Sequence, residues 1–184
     1  MLHFYQHKLN NEALMAVSTK PGDIQFSSLM SGAYGSSAIA LFFLIVDALR
    51  GDVLFTPSFM GQVVLFGMAP ADVTSIRLDA MALYSLVHLA AFIGIGTIVS
   101  VAYARFSLIP RNVVAVAFAL LALLTIGTMG VDRLLFPGII DGIGRLPLAL
   151  GNGFTSITMA VLVYQTFEGP IWTPRANAPQ QQEA

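Results

Sequence analysis

The chain has 184 residues, 56% of them hydrophobic and 10% charged, with a formal net charge of −1 and no cysteine. Soluble domains carry about 25% charged residues, so one water-soluble core could not hide this much apolar surface; the mean hydropathy of +0.76 agrees. The charge balance offers no basic field for nucleic acid, and the lack of cysteine excludes disulfides, thiolate zinc sites, iron–sulfur clusters and a cysteine nucleophile.

Residues 1–26 read as an extramembrane arm. His3, Gln6, His7, Lys8, Asn10, Asn11 and Glu12 interrupt its apolar residues, unlike the basic start and directly following apolar run of a cleaved signal. Pro21-Gly22 punctuates the arm before the first span. The apolar run Ser28–Leu49 is long enough to cross a bilayer, which takes about 20 residues, and is read as an uncleaved first span. It carries small residues at every fourth position, Ser28, Gly32, Ser36 and Ala40, with a second row at Ser27, Ser31 and Gly35. Small residues let helix backbones approach closely in lipid, so this face is expected to meet another helix.

The connection Arg50–Asp79 contains Leu54-Phe55-Thr56-Pro57 and then an apolar piece, Ser58–Met68, too short to span. Thr56 as cap with Pro57 in the first turn predicts a short interfacial or re-entrant helix. Span two follows over Ala80–Ala104. The short link Arg105–Asn112 predicts that spans two and three, the latter over Val113–Leu135, are antiparallel neighbours. A glycine-rich connection from Phe136-Pro137-Gly138 to Gly144-Arg145 leads to span four, Leu146–Phe167, with Gly151, Gly153, Ser156 and Thr158 suited to close packing. The tail 168–184, with Pro170, Pro174 and Pro179, reads as disordered or polyproline-like. The expected fold is all-α: a four-helix transmembrane domain over 27–167, between the arm and the tail.

Spans one and three end alike. Val46-Asp47 and Arg50 precede Leu54-Phe55-Thr56-Pro57, and Val131-Asp132-Arg133 precedes Leu135-Phe136-Pro137. A short apolar piece and Arg-Leu then lead into the next span, at Arg77-Leu78 and at Arg145-Leu146. One reading is a tandem of two units, each span, short helix, span, as in parallel repeats. The competing reading is that Asp, Arg and Pro simply mark membrane boundaries. Basic residues divide almost evenly between the two sides, and Lys8 and Lys20 ahead of the first span place both termini in the cytoplasm.

His88 is the one histidine inside a span, with Tyr84 and Phe92 a turn away on the same face. An ionisable group within the membrane invites a functional reading. Three readings stand: a neutral ring bonded to a neighbouring helix, a proton or ion path, or contact with a haem or chlorophyll-type pigment. His3 and His7 lie in the arm, so bis-histidine haem ligation within the chain is excluded. Asp47 with Arg50, and Asp132 with Arg133, read as boundary ion pairs that fix helix depth, as a cross-unit pair such as Asp47–Arg133, or as part of an ion path. A carboxylate at a helix C-terminus opposes the macrodipole and calls for a cationic partner. No nucleophile elbow, zinc-protease motif or phosphate loop is present. Gly142-Ile143-Gly144 and Gly151-Asn152-Gly153 stand outside any strand–helix context. Neither catalytic nor metal-ligating residues are expected, and no cofactor is predicted.

The stretch Ala40–Gly61 and the Tyr84–His88 spacing resemble a family of small, uncharacterised bacterial four-span membrane proteins with a Leu-Phe-Thr-Pro boundary motif. The resemblance covers about half the chain; it implies bacterial origin and four spans, and no mechanism. The leading expectation is a non-catalytic accessory subunit of a larger complex in the bacterial inner membrane, respiratory or photosynthetic, with the bilayer and other transmembrane subunits as partners. The alternative is a small oligomeric transporter or channel using His88, Asp47 and Asp132. An enzyme acting on lipid or quinone at the outer boundary ranks last.

Overall fold

The computed structural model describes residues 21–105 and 112–169, and the arm before Pro21 and the tail beyond Gly169 lie outside the described residues. Four helices are long and apolar enough to cross a membrane, and no strand occurs among the described residues. The chain is therefore an all-α, multi-pass membrane protein. Helix α1 spans Pro21–Arg50 and α2 spans Phe55–Phe66. A 3-10 turn at Pro70–Asp72 leads to α3, Leu78–Arg105. Helix α4, Val113–Gly130, runs on without a break into a π-helical turn, Val131–Leu135. The five-residue α5, Ile139–Ile143, then precedes α6, Arg145–Glu168.

Helix α1 starts at Pro21, inside the segment expected to be arm, because proline is pre-organised for a first helical turn and loses no hydrogen bond there. At 30 residues α1 is ~45 Å long, longer than the ~30 Å hydrocarbon core. Asn112 opens α4 by accepting from the Val114 amide at 2.8 Å.

The spans pack in a chain of contacts, α3 to α1 to α6 to α4. Against expectation, α3 and α4 do not pack along each other. A seven-residue step from Arg105 to Asn112 reaches up to ~25 Å when extended, so a short link does not force its helices together. At the end away from the short helices, α3 meets α6, where the Tyr103 ring stacks on Phe167 at 5.4 Å and its hydroxyl bonds Glu168 at 3.2 Å.

The close approach of α1 to α3 is made by glycine. A Cβ on Gly32 would lie 2.5 Å from Ile93 Cα, and one on Gly96 would lie 2.6 Å from the Ser28 carbonyl oxygen. Ser100 Oγ donates to Ser27 Oγ at 2.9 Å in the same seam. Both small-residue rows are thus used: Ser27, Ser28, Ser31, Gly32, Gly35 and Ser36 are all buried. The stripe stops there, since Ala40 is exposed. Helix α6 takes the next face of α1, with Met159 over Gly35 and Gly151 against Phe42 and Phe43. Val116, Leu120 and Leu124 of α4 form part of the same buried core.

These contacts generate a paired prediction on one helix. Gly96→Ala is expected to cost about 1–3 kcal/mol through overpacking against the α1 backbone. Gly94→Ala, whose Cβ would meet nothing within 4 Å, is expected to be neutral or stabilising by up to about 1 kcal/mol from helix propensity. Thermal unfolding in one detergent compares the two, and equal loss in both would contradict the seam.

Candidate functional site

Span-end carboxylates do not pair with the arginines beside them. Asp47 is 1% exposed and takes both hydrogen bonds of Thr56: the amide donates to Oδ2 and the hydroxyl to Oδ1, each at 2.6 Å. Asp132 Oδ1 accepts from the Ile140 amide at 2.9 Å. Thr56 and Ile140 are each the second residue of a short helix. The first amides of a helix have no intrahelical acceptor, and an anion is favoured at that end by the macrodipole. Each short helix is therefore capped by a carboxylate from the span before it. The expected Asp47–Arg50, Asp132–Arg133 and Asp47–Arg133 pairs do not form among the described residues. Thr56 donates to the capping carboxylate and is not itself the cap, which corrects its expected role.

The turns around the two caps match. The residue before each short helix sits in the left-handed region, Leu54 at φ 70° and Gly138 at φ 97°. An amide five residues on closes each span: Asp52 donates to the Asp47 carbonyl and Phe136 to the Val131 carbonyl, both at 3.0 Å. The two short-helix starts thus share a capping device, offset by one residue: the closing bond falls on Asp47 itself in the first and on Val131, just before Asp132, in the second. The Leu-Phe-Pro similarity behind the tandem reading is out of register, because Pro57 lies inside α2 whereas Pro137 precedes α5.

Arg50 crosses between units. Its Nη1 donates to the Ile143 carbonyl at 3.1 Å, placing a cation at the C-terminal end of α5. Beside it, the Phe59 ring of α2 lies over Gly142, where a Cβ would collide with the ring. Phe59 is 1% exposed.

The two units differ in what fills the space behind the cap. In the first, α2 is 12 residues long and packs along α3, with Gly61 set against the Ala80 backbone. Ser58 Oγ accepts from the Arg77 amide at 2.7 Å, and Gln62 Nε2 donates to the Ser75 carbonyl at 2.9 Å. In the second, α5 has five residues and no such seal. A hollow of about 260 Å³ remains between α4, its π-turn and α6, lined by Thr128, Asp132, Arg133, Asp141, Arg145 and Asn152 among others. Asp141 and Arg145 pair at 3.5 Å, both well exposed. Asn152 is 2% exposed, and its side chain's one hydrogen bond among the described residues is a long one, 3.5 Å from Nδ2 to Thr128 Oγ1. Ser58, Gln62 and Asn152 were not singled out from the sequence. The signal available was a polar pair four residues apart in an otherwise apolar short helix, and an asparagine between two glycines near the start of a span.

His88 stands apart from these boundary groups. Its Nδ1 shares a hydrogen bond with Tyr84 Oη at 3.2 Å, within its own helix and not with a neighbour as expected. Its ring lies 4.6 Å from Phe92 and 5.4 Å from Tyr84. Nε2 has no partner among the described residues, and the side chain is half-buried. No group of three or more potential metal ligands occurs among the described residues.

Asp47→Ala is expected to cost about 1–3 kcal/mol, because two buried donors of Thr56 lose their acceptor. Thr56→Val, which keeps the amide, should cost less, and Asp132→Ala, at a half-buried single bond, also less. Thermal unfolding of the three variants orders them, and a Thr56→Val loss exceeding that of Asp47→Ala would contradict the cap. The chain matches no protein-family model, no curated protein and no solved structure.

Proposed function

We propose that the protein is a non-catalytic subunit of a larger membrane complex, in a bacterial cytoplasmic membrane with both termini on the cytoplasmic side. The observation that carries this reading is His88. It is ten residues into α3, ~15 Å from the start of the helix and inside its apolar stretch. It lies on the terminal helix of an open row, half-buried, with Nε2 unmatched. A polar atom facing hydrocarbon is costly, and polar side chains in spans bond across helices. A polar group on another subunit's helix would satisfy Nε2 and cover the free edge of α3. The carboxylates support the same reading, since Asp47 and Asp132 are engaged in holding backbone and a proton or cation path through them would have to break those bonds.

Extraction in mild detergent followed by native gel and mass spectrometry tests this. The chain is expected to migrate with other transmembrane subunits, and spectra of the assembly then show any haem or pigment it carries. His88→Phe is expected to release the chain from the assembly while leaving its own thermal unfolding within about 1 kcal/mol. Migration as a lone chain or pure homo-oligomer would overturn the proposal, as would an assembly indifferent to His88→Phe.

A further inference from the structure

The hollow in the second unit has the features of a ligand site. The first unit repeats the same cap and turn but has its equivalent space closed by α2 and the Ser58–Gln62 network. In the second unit the short helix has five residues instead of 12, and charged and polar side chains line the space beside it. About 260 Å³ exceeds what isolated waters need, each taking about 30 Å³ in the liquid. Three chemistries face it. Arg133, on the π-turn, is exposed and makes no hydrogen bond or ion pair among the described residues. Arg145 opens α6, whose first-turn amides have no side-chain cap. Asp132 has one oxygen committed to Ile140 and the other free, and Asp141 holds Arg145 only at 3.5 Å. Asn152 lines the inner wall, almost fully buried, and its Oδ1 takes no hydrogen bond among the described residues.

The charges decide the class of ligand. Two guanidinium groups and two carboxylates leave the hollow neutral, so a net anion would displace a carboxylate from an arginine without compensating it. A zwitterion with phosphate and a hydrogen-bearing ammonium a few bonds apart satisfies both signs. The hollow opens where α4 ends and α6 begins, at the membrane boundary where lipid headgroups lie. Phosphate matches the planar donor fork of arginine, and a primary ammonium supplies three donors for the carboxylates and the Asn152 carbonyl.

We propose that the hollow between α4, its π-turn and α6 binds the phosphoethanolamine headgroup of a membrane phospholipid, phosphate toward Arg133 and Arg145, ammonium toward Asp132 and Asp141. The inference is independent of the subunit reading, which rests on the opposite edge of the bundle.

The test uses the full chain, delipidated in detergent and titrated with phosphatidylethanolamine, phosphatidylcholine, phosphatidylglycerol or soluble phosphoethanolamine, and bound lipid is counted by native mass spectrometry. Phosphatidylethanolamine is expected to bind about tenfold more tightly than the trimethylated and the anionic lipids, the effect of one charge-assisted hydrogen bond. Arg133→Gln and Asp141→Asn, both at exposed positions with the fold checked by thermal unfolding, should each abolish that preference. Equal binding of all three lipids, preference for phosphatidylglycerol, or a preference surviving both substitutions overturns the proposal. Soluble phosphoethanolamine binding as tightly as the lipid overturns the lipid as source and assigns the hollow to a free solute.

Discussion

A helix that starts at the edge of a bilayer has amides with neither an intrahelical acceptor nor free access to water, and this chain depends on how it satisfies them. Both short helices begin under a carboxylate carried by the preceding span, Asp47 at Thr56 and Asp132 at Ile140. An acceptor in the preceding span fixes the direction in which the short helix leaves it, which a cap within the loop could not do. Once α2 is oriented, Phe59 reaches Gly142, and once α1 ends where it does, Arg50 reaches the Ile143 carbonyl. The boundary contacts between the units follow from two carboxylate caps.

The same device serves two different ends. In the first unit the helix it orients is long enough to cover the start of α3 and to satisfy backbone groups through Ser58 and Gln62. In the second it orients only a single turn and a half, and the π-turn at the end of α4 adds a wider backbone ring beside the space that remains. π-turns recur at functional sites because the widened turn displaces side chains from the regular helical order. Here the displaced pair is Asp132 and Arg133, at the mouth of the hollow.

The four spans and their seam were legible because both rest on local pattern. Length and hydropathy mark a span, and small residues four apart suggest a close face; Ser28, Gly32 and Ser36 are buried and Ala40 is exposed. The carboxylates were misread because an arginine three residues away is visible in the sequence whereas an unsatisfied amide is not. Asp47 chose the amide and hydroxyl of Thr56 because they are buried with it, while the exposed Arg50 could reach a helix end instead. The relation between spans two and three was misread because a short link bounds a distance and does not specify a neighbour. The hollow had no sequence signal of its own: it exists because α5 is shorter than α2, a difference that matters only once the two are seen to be equivalent.

The two unsatisfied features fall on opposite ends of the row, and their depths distinguish what each can meet. His88 lies within the apolar stretch of α3, where lipid offers only methylene groups, and a polar group on another helix would match a nitrogen that has no partner among the described residues. The hollow beside α4 lies where that span ends and α6 begins, lined by charged side chains that a headgroup could meet without a partner helix. A helix row closed on itself would have buried both. Because α3 and α4 do not pack along each other, His88 and the hollow lie at opposite ends of the row of described helices. On the two proposals, one end of the row would meet a neighbouring subunit and the other the surrounding lipid.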